Sequence, residues 1–93
     1  MEANQIFVGK KPPMAYVMAL LTQFGSGQKE IIVKARGRAI STAIDMIEIA
    51  KNKFPDLKGI QVKEFKMGTE EVKNLDSPTM SRVSFVALTL TKG

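Results

Sequence analysis

The chain has no cysteine and no histidine. Those absences remove disulfides, zinc sites of Cys or His type, thiol nucleophiles and imidazole bases. Catalysis would have to rest on carboxylates, lysines or hydroxyls, and neither a metal site nor a cofactor is expected. No apolar run approaches the ~20 residues that cross a bilayer, and no signal peptide is visible, so no membrane association is expected. The missing cysteine fits a cytosolic protein. Aromatic residues are few: Phe7, Tyr16, Phe24, Phe54, Phe65 and Phe85. They fall mostly at apolar-periodic positions and read as core residues, with no evident base-stacking platform.

What is present is a globular composition, 44% hydrophobic and 25% charged, in a length of 93 residues that fits one domain over 1–93. The net charge of +5 is unevenly placed. Residues 1–38 hold six cations against Glu2 and Glu30, leaving +4; residues 39–59 are neutral and residues 60–93 carry +1. A basic patch in the first part of the chain, and hence an anionic partner, is expected.

The densest cationic stretch is Lys34-Ala35-Arg36-Gly37-Arg38. It reads as a strand end, a glycine hinge and a helix start. Alternate residues of a strand share a face, so Lys34 and Arg36 point the same way. Arg38 joins them if extended geometry runs through Gly37. Such a row suits a polyanion; a solvated sheet edge protected by cations is the alternative. A second cationic pair, Lys10-Lys11, precedes Pro12-Pro13 at a helix start, where the peptide dipoles attract phosphate. Soluble loop lysines are the alternative there.

The remaining pattern gives the element order. Ile6-Phe7-Val8 reads as a short buried strand closed by Gly9. Met14, Val17, Leu20, Leu21 and Phe24 make a helical stripe, with Gly25 expected in the left-handed closing position. Lys29–Arg36 is a strand with Ile31, Val33 and Ala35 on one face and Ile32, Lys34 and Arg36 on the other. A second helix runs from about Arg38 to Phe54. Its core stripe is Ile40, Ala43, Ile44, Ile47 and Ala50, and Met46 and Ile49 add an apolar sector that suits either a subunit contact or a helix sandwiched within one subunit. In the next strand, Ile60 and Val62 stand on the opposite parity from Phe65 and Met67, which implies a bulge or a two-sided apolar strand. Met80–Thr91 is a long last strand, apolar on both faces, so both are expected to be covered. Gly68–Thr79, with Asp76-Ser77-Pro78, reads as a long projecting hairpin tip or an inconsequential loop. The fold class is α/β: a βαβαββ two-layer sandwich, with two helices on a mixed four-stranded sheet and an extended β-hairpin arm.

Gly9-Lys10-Lys11-Pro12, then Tyr16-Val17, then Lys34-Ala35-Arg36-Gly37-Arg38-Ala39-Ile40-Ser41, and finally Ser81-Arg82-Val83-Ser84, closely resemble the archaeal nucleic-acid-binding Alba family. The resemblance covers nearly the whole chain. It implies a fold like the C-terminal domain of translation initiation factor three, assembled as a homodimer. It implies binding of double-stranded DNA and RNA with little sequence preference, in a cytoplasmic, chromosome-associated protein that is not an enzyme. It places Lys10 and Lys11 at the centre of the binding surface, with Arg36 and Arg38 beside them, and the hairpin arms along the duplex near the minor groove. It also implies acetylation of Lys10, by an acetyltransferase opposed by a deacetylase, and a dimer–dimer contact at Phe54, for which a core aromatic is the alternative. The arm departs from the pattern: Glu70, Glu71 and Asp76 offset Lys73 and Arg82, so it is less basic than a phosphate-gripping arm, and Arg82 is the contact retained from it. The binding set is therefore Lys10, Lys11, Lys34, Arg36, Arg38 and Arg82. The competing classes are a protein-interaction adaptor, or a subunit of an RNA-processing complex, acting through apolar surfaces. A hydrolase built on Asp45 and Glu48 lacks any partner group, and solvated helix carboxylates explain that pair.

Overall fold

The computed structural model describes residues 4–73 and 78–92. The order is β1 (Asn4–Val8), α1 (Pro13–Gly25), β2 (Glu30–Arg36), α2 (Ala39–Lys53), a 3-10 turn (Pro55–Leu57), β3 (Ile60–Lys73) and β4 (Met80–Lys92). The sheet runs β1-β2-β4-β3, parallel between β1 and β2 and antiparallel elsewhere. This is the expected mixed four-stranded sheet with two helices.

Both helices pack over β1 and β2. The period-2 alternation decides which side chains they cover. Ile6, Val8, Ile31, Val33 and Ala35 are buried, and β4 adds Val86, Leu88 and Leu90. From the helices come Val17, Leu20 and Phe24 of α1 and Ala43, Met46, Ile47 and Ala50 of α2. Each large aliphatic side chain fully buried here contributes about 1.5–3 kcal/mol. The opposite face of the sheet, carrying Phe7, Lys34, Arg36, Phe85 and Ala87, has no helix over it among the described residues.

Several details differ from the sequence reading. Met46 is fully buried and Ile49 packs against the core, so the second sector of α2 lies inside the subunit. The outward apolar residue is Ile44, about half exposed. Helix α2 is rotated toward α1 as well as the sheet, which brings Met46 inward. Met14, placed in the α1 stripe by spacing, is likewise largely exposed. Gly25 keeps a negative φ; the helix closes on Ser26, and the left-handed residue is Gly27 at φ 102°.

The parity change in β3 is a bulge between Val62 and Glu64. With Lys63 as the extra residue, Val62, Phe65 and Met67 all share the helix-side face, opposite Leu90, Leu88 and Val86. The helices pack mainly over β1 and β2, and these three side chains stay exposed. The outer face of β4 is only partly covered: Val83, Phe85 and Ala87 are half-buried on a side without helices. The hairpin ladder continues to the pair Lys73–Met80, so Gly68–Lys73, expected in the tip, is strand. Inter-strand hydrogen bonds satisfy the backbone there without any core, and charged side chains are tolerated because both faces are wet. Asp76, part of the expected turn, lies outside the described residues.

Candidate nucleic-acid interface

Three separate elements deliver cations to one open depression that runs from the outer face of the sheet to Ala39 and Thr42 of α2: Lys10 from the β1–α1 loop, Lys34 and Arg36 from β2, and Arg38 from the start of α2. Lys34 and Arg36 share a face by strand alternation, as expected. Arg38 arrives by a different route. Gly37 takes φ +60°, ending extended geometry, and Arg38 adopts helical angles at the N-cap of α2. The Gly37 N–H donates to the Ser84 carbonyl at 2.8 Å, tying this turn to β4. A β-carbon at Gly37 would meet Val83 Cγ1 at 3.6 Å, ordinary contact, so the constraint there is the left-handed angle.

The dilysine loop is held by Tyr16. Its hydroxyl accepts from the Gly9 N–H at 2.7 Å and the Lys11 N–H at 3.3 Å, from a ring only 8% exposed. Because those amides are taken, and Pro12 and Pro13 carry no N–H, the helix start offers fewer anion donors than the sequence implied. The loop acts through its lysine side chains, both exposed. Tyr16→Phe keeps the ring but leaves two amides without their acceptor. We expect a stability loss of about 1–2 kcal/mol, together with a several-fold loss of affinity for an anionic duplex as the Lys10 backbone loosens. Chemical denaturation and a binding titration check both. Unchanged values in both would show that the clamp is dispensable.

Lys11 and Arg82 are not among the residues lining the depression. Lys11 lies on the loop beside it. Arg82 is exposed on the arm with the parity of Val86 and Leu88, facing away from Arg36. Phe54 sits at the C-cap of α2, half-buried and packed against the core, as its core alternative anticipated. It also borders a shallow hollow with Lys51, Lys53 and Lys58.

Other lining residues went unseen in the sequence. Lys66 joins the depression because the bulge resets strand parity, and Glu64 stands 3.8 Å from it. Glu70 reaches Arg36 at 3.4 Å. Both partners are about half exposed, so this ion pair contributes at most about 1 kcal/mol. Glu30 accepts from Lys63 at 2.7 Å. That hydrogen bond, with the attraction of the same carboxylate, holds the Lys63 ammonium above its ordinary 10.5. Stability from a raised pKa is present below the unfolded value and fades only as pH climbs through the folded one, so this pair stays intact across neutral pH. Finally, Phe7 is 69% exposed on the cationic face, not in the core.

Among the described residues no group of acidic side chains could hold a metal ion, and no helix is long and apolar enough to cross a membrane. Asp45 and Glu48 are exposed helix carboxylates.

Comparison with known proteins gives a consistent result. The Alba family profile matches residues 4–69. The chain is 51% identical over 72 residues to the DNA/RNA-binding protein Alba 1 of Archaeoglobus fulgidus, a match covering 77% of this chain and 79% of that protein. Among solved structures it is similar to Alba from Thermoplasma volcanium, with a TM-score of 0.85 and 42% identity over 95% of this chain and 99% of that one. It shares its fold with ALBA1 from Trypanosoma brucei, at a TM-score of 0.76 and 21% identity, covering 100% of this chain and 72% of that one. A profile spanning the loop, strand and helix start that carry the cations, and a relative sharing half of the aligned residues, show that this chain belongs to the Alba family.

Proposed function

We propose that this protein binds double-stranded DNA and RNA without sequence preference, through a basic surface of a homodimer, and performs no catalysis. The observation that carries the reading is the convergence of Lys10, Lys34, Arg36 and Arg38 on one open face from three separate elements. Flexible cations on a shallow surface neutralise phosphates, which gives affinity and register but reads no bases. The Archaeoglobus relative, a DNA/RNA-binding protein by name, supports the same ligand class. The role that follows is chromosome association in archaeal chromatin organisation, or stabilisation of RNA. Lys11, at the edge of the patch, and Arg82, on the arm, add phosphate contacts around the central four.

The homodimer reading rests on Val62, Phe65 and Met67, an exposed apolar row along β3 with Ile44 of α2 also exposed. A row of this kind on an outer strand invites a partner, and a two-fold axis would present two basic patches. Phe54, beside its lysine-rimmed hollow, is the proposed contact between dimers on nucleic acid.

Titration against duplexes of unrelated sequence, at several salt concentrations, tests the function. Affinity should be alike across sequences and should fall linearly in log–log form as salt rises. Salt-independent binding would refute the electrostatic reading and favour an adaptor acting through apolar surfaces.

Lys10 is the proposed acetylation site, exposed on its loop and central to the patch. Acetylation removes the charge. Lys10→Gln should weaken duplex binding by roughly 60-fold per dimer at 0.1 M salt, and Lys10→Arg should weaken it much less. Equal affinity of Lys10→Gln and wild type would remove Lys10 from the surface.

A further inference from the structure

The cationic face carries one feature that phosphate binding does not use. Phe7 is the penultimate residue of β1, between buried Ile6 and Val8, yet its own side chain is 69% exposed. It points to the helix-free face, level with Lys34, whose ammonium stands 5.8 Å from the ring centroid. β1 is an edge strand, so only β2 flanks it. Around the ring, the depression is lined by Lys10, Arg36 and Arg38. A phenylalanine left this open gains nothing for the core, where Ile6 and Val8 already fill the face.

We propose that Phe7 is a stacking platform for an unpaired base of the nucleic acid whose phosphates the surrounding cations hold; the inference rests on the function proposed above and adds a ligand class to it. Charge complementarity selects this occupant. A second copy of the chain on this ring would bring Lys10, Lys34 and Arg36 against their own counterparts, with like charges opposed. The apolar row on β3 lacks that conflict. A nucleic acid brings phosphates to the cations and a flat π-face to the ring, and the ammonium beside the ring is free to turn to a phosphate. A base inside a duplex is already stacked on both sides. A base in a bulge, loop or frayed end has a face to offer, and such bases stack on exposed aromatics in single-strand recognition. Every base has that face, so the site adds preference for unpaired structure without sequence preference.

The test uses the full chain and two RNA hairpins, one fully paired and one with the same stem interrupted by a single-nucleotide bulge. Wild type should bind the bulged hairpin more tightly. Phe7→Ala should lose roughly 5- to 150-fold on the bulged hairpin, with affinity for the paired one within about twofold and its salt slope unchanged. Phe7→Leu, which keeps apolar bulk in the strand, should behave like Phe7→Ala, and Phe7→Tyr like wild type. Circular dichroism on each variant confirms the fold. Equal losses on both hairpins, no loss on either, or wild-type behaviour of Phe7→Leu would overturn the proposal. So would a drop in sedimenting mass in Phe7→Ala, which would make the ring a subunit contact. Failure of wild type to bind the paired hairpin in a salt-dependent way would instead bring down the basic-surface reading, and the stacking site with it.

Discussion

Arg36→Ala is expected to flatten the salt dependence of duplex binding by about two units of log–log slope per dimer, since each phosphate contact contributes roughly 0.9. At 0.1 M salt, with the non-electrostatic part unchanged, that is a loss of about 60-fold. The loss should be equal for duplexes of different sequence, because a phosphate contact reads no bases. Arg38→Ala should behave alike, since Arg38 lines the same depression from the helix start. The fold should hold: Arg36 is exposed, and its only described ion pair is the half-exposed contact with Glu70. That carboxylate competes with phosphate for the guanidinium, so Glu70→Gln should strengthen binding by a few-fold. If Arg36 is structural, thermal stability will fall and the slope will stay. An unchanged slope in both arginine variants would leave the lysines, with Arg82, to carry the surface.

Phe65→Glu is expected to split the proposed homodimer. Sedimentation of wild type at micromolar concentration should give about twice the chain mass of 10.2 kDa, and the variant should approach the single mass. Phe65 is 53% exposed in the isolated subunit, so its replacement removes little from the core. Across a two-fold axis the change counts twice. A loss of about 2 kcal/mol per aromatic anchor, taken twice, weakens association roughly 1,000-fold. Two introduced carboxylates in an apolar contact add to that cost. Duplex affinity should fall with it, and the salt slope should drop toward half, because one subunit carries half the cations. A variant that keeps the dimer mass, even when Met67→Glu is added, would move the interface off β3.

The element order and types were legible in the sequence because each segment is strongly periodic and bounded by its own breaker. Pro12-Pro13 opens α1, Gly37 separates β2 from α2, and Pro55 follows α2. The cations of the site were legible too, since Lys34 and Arg36 had to share a face once β2 was a strand. The structure gathers Lys10, Lys34, Arg36 and Arg38, and it leaves Lys11 and Arg82 outside the depression. The arm was read too short as strand, because solvated charged residues carry no burial pattern, yet its ladder runs to Lys73 and Met80.

By itself, then, the sequence determined the layers, the absence of thiol and imidazole chemistry, and which side chains bring positive charge. Only the tertiary structure decided which apolar residues are covered. Periodicity shows that α2 has two apolar flanks, but the neighbours choose between them: α1 and the sheet bury Met46 and leave Ile44 out. Alternation shows that Phe7 faces away from Ile6 and Val8, but not that no helix lies on that side. Arg38 reaches the cationic face through a left-handed glycine that breaks the strand rule, and Lys66 reaches it through a bulge that resets parity. Glu70 meets Arg36 across 34 residues of chain. In each case the deciding contact is non-local, set by strand order and helix rotation, and local spacing holds no record of it.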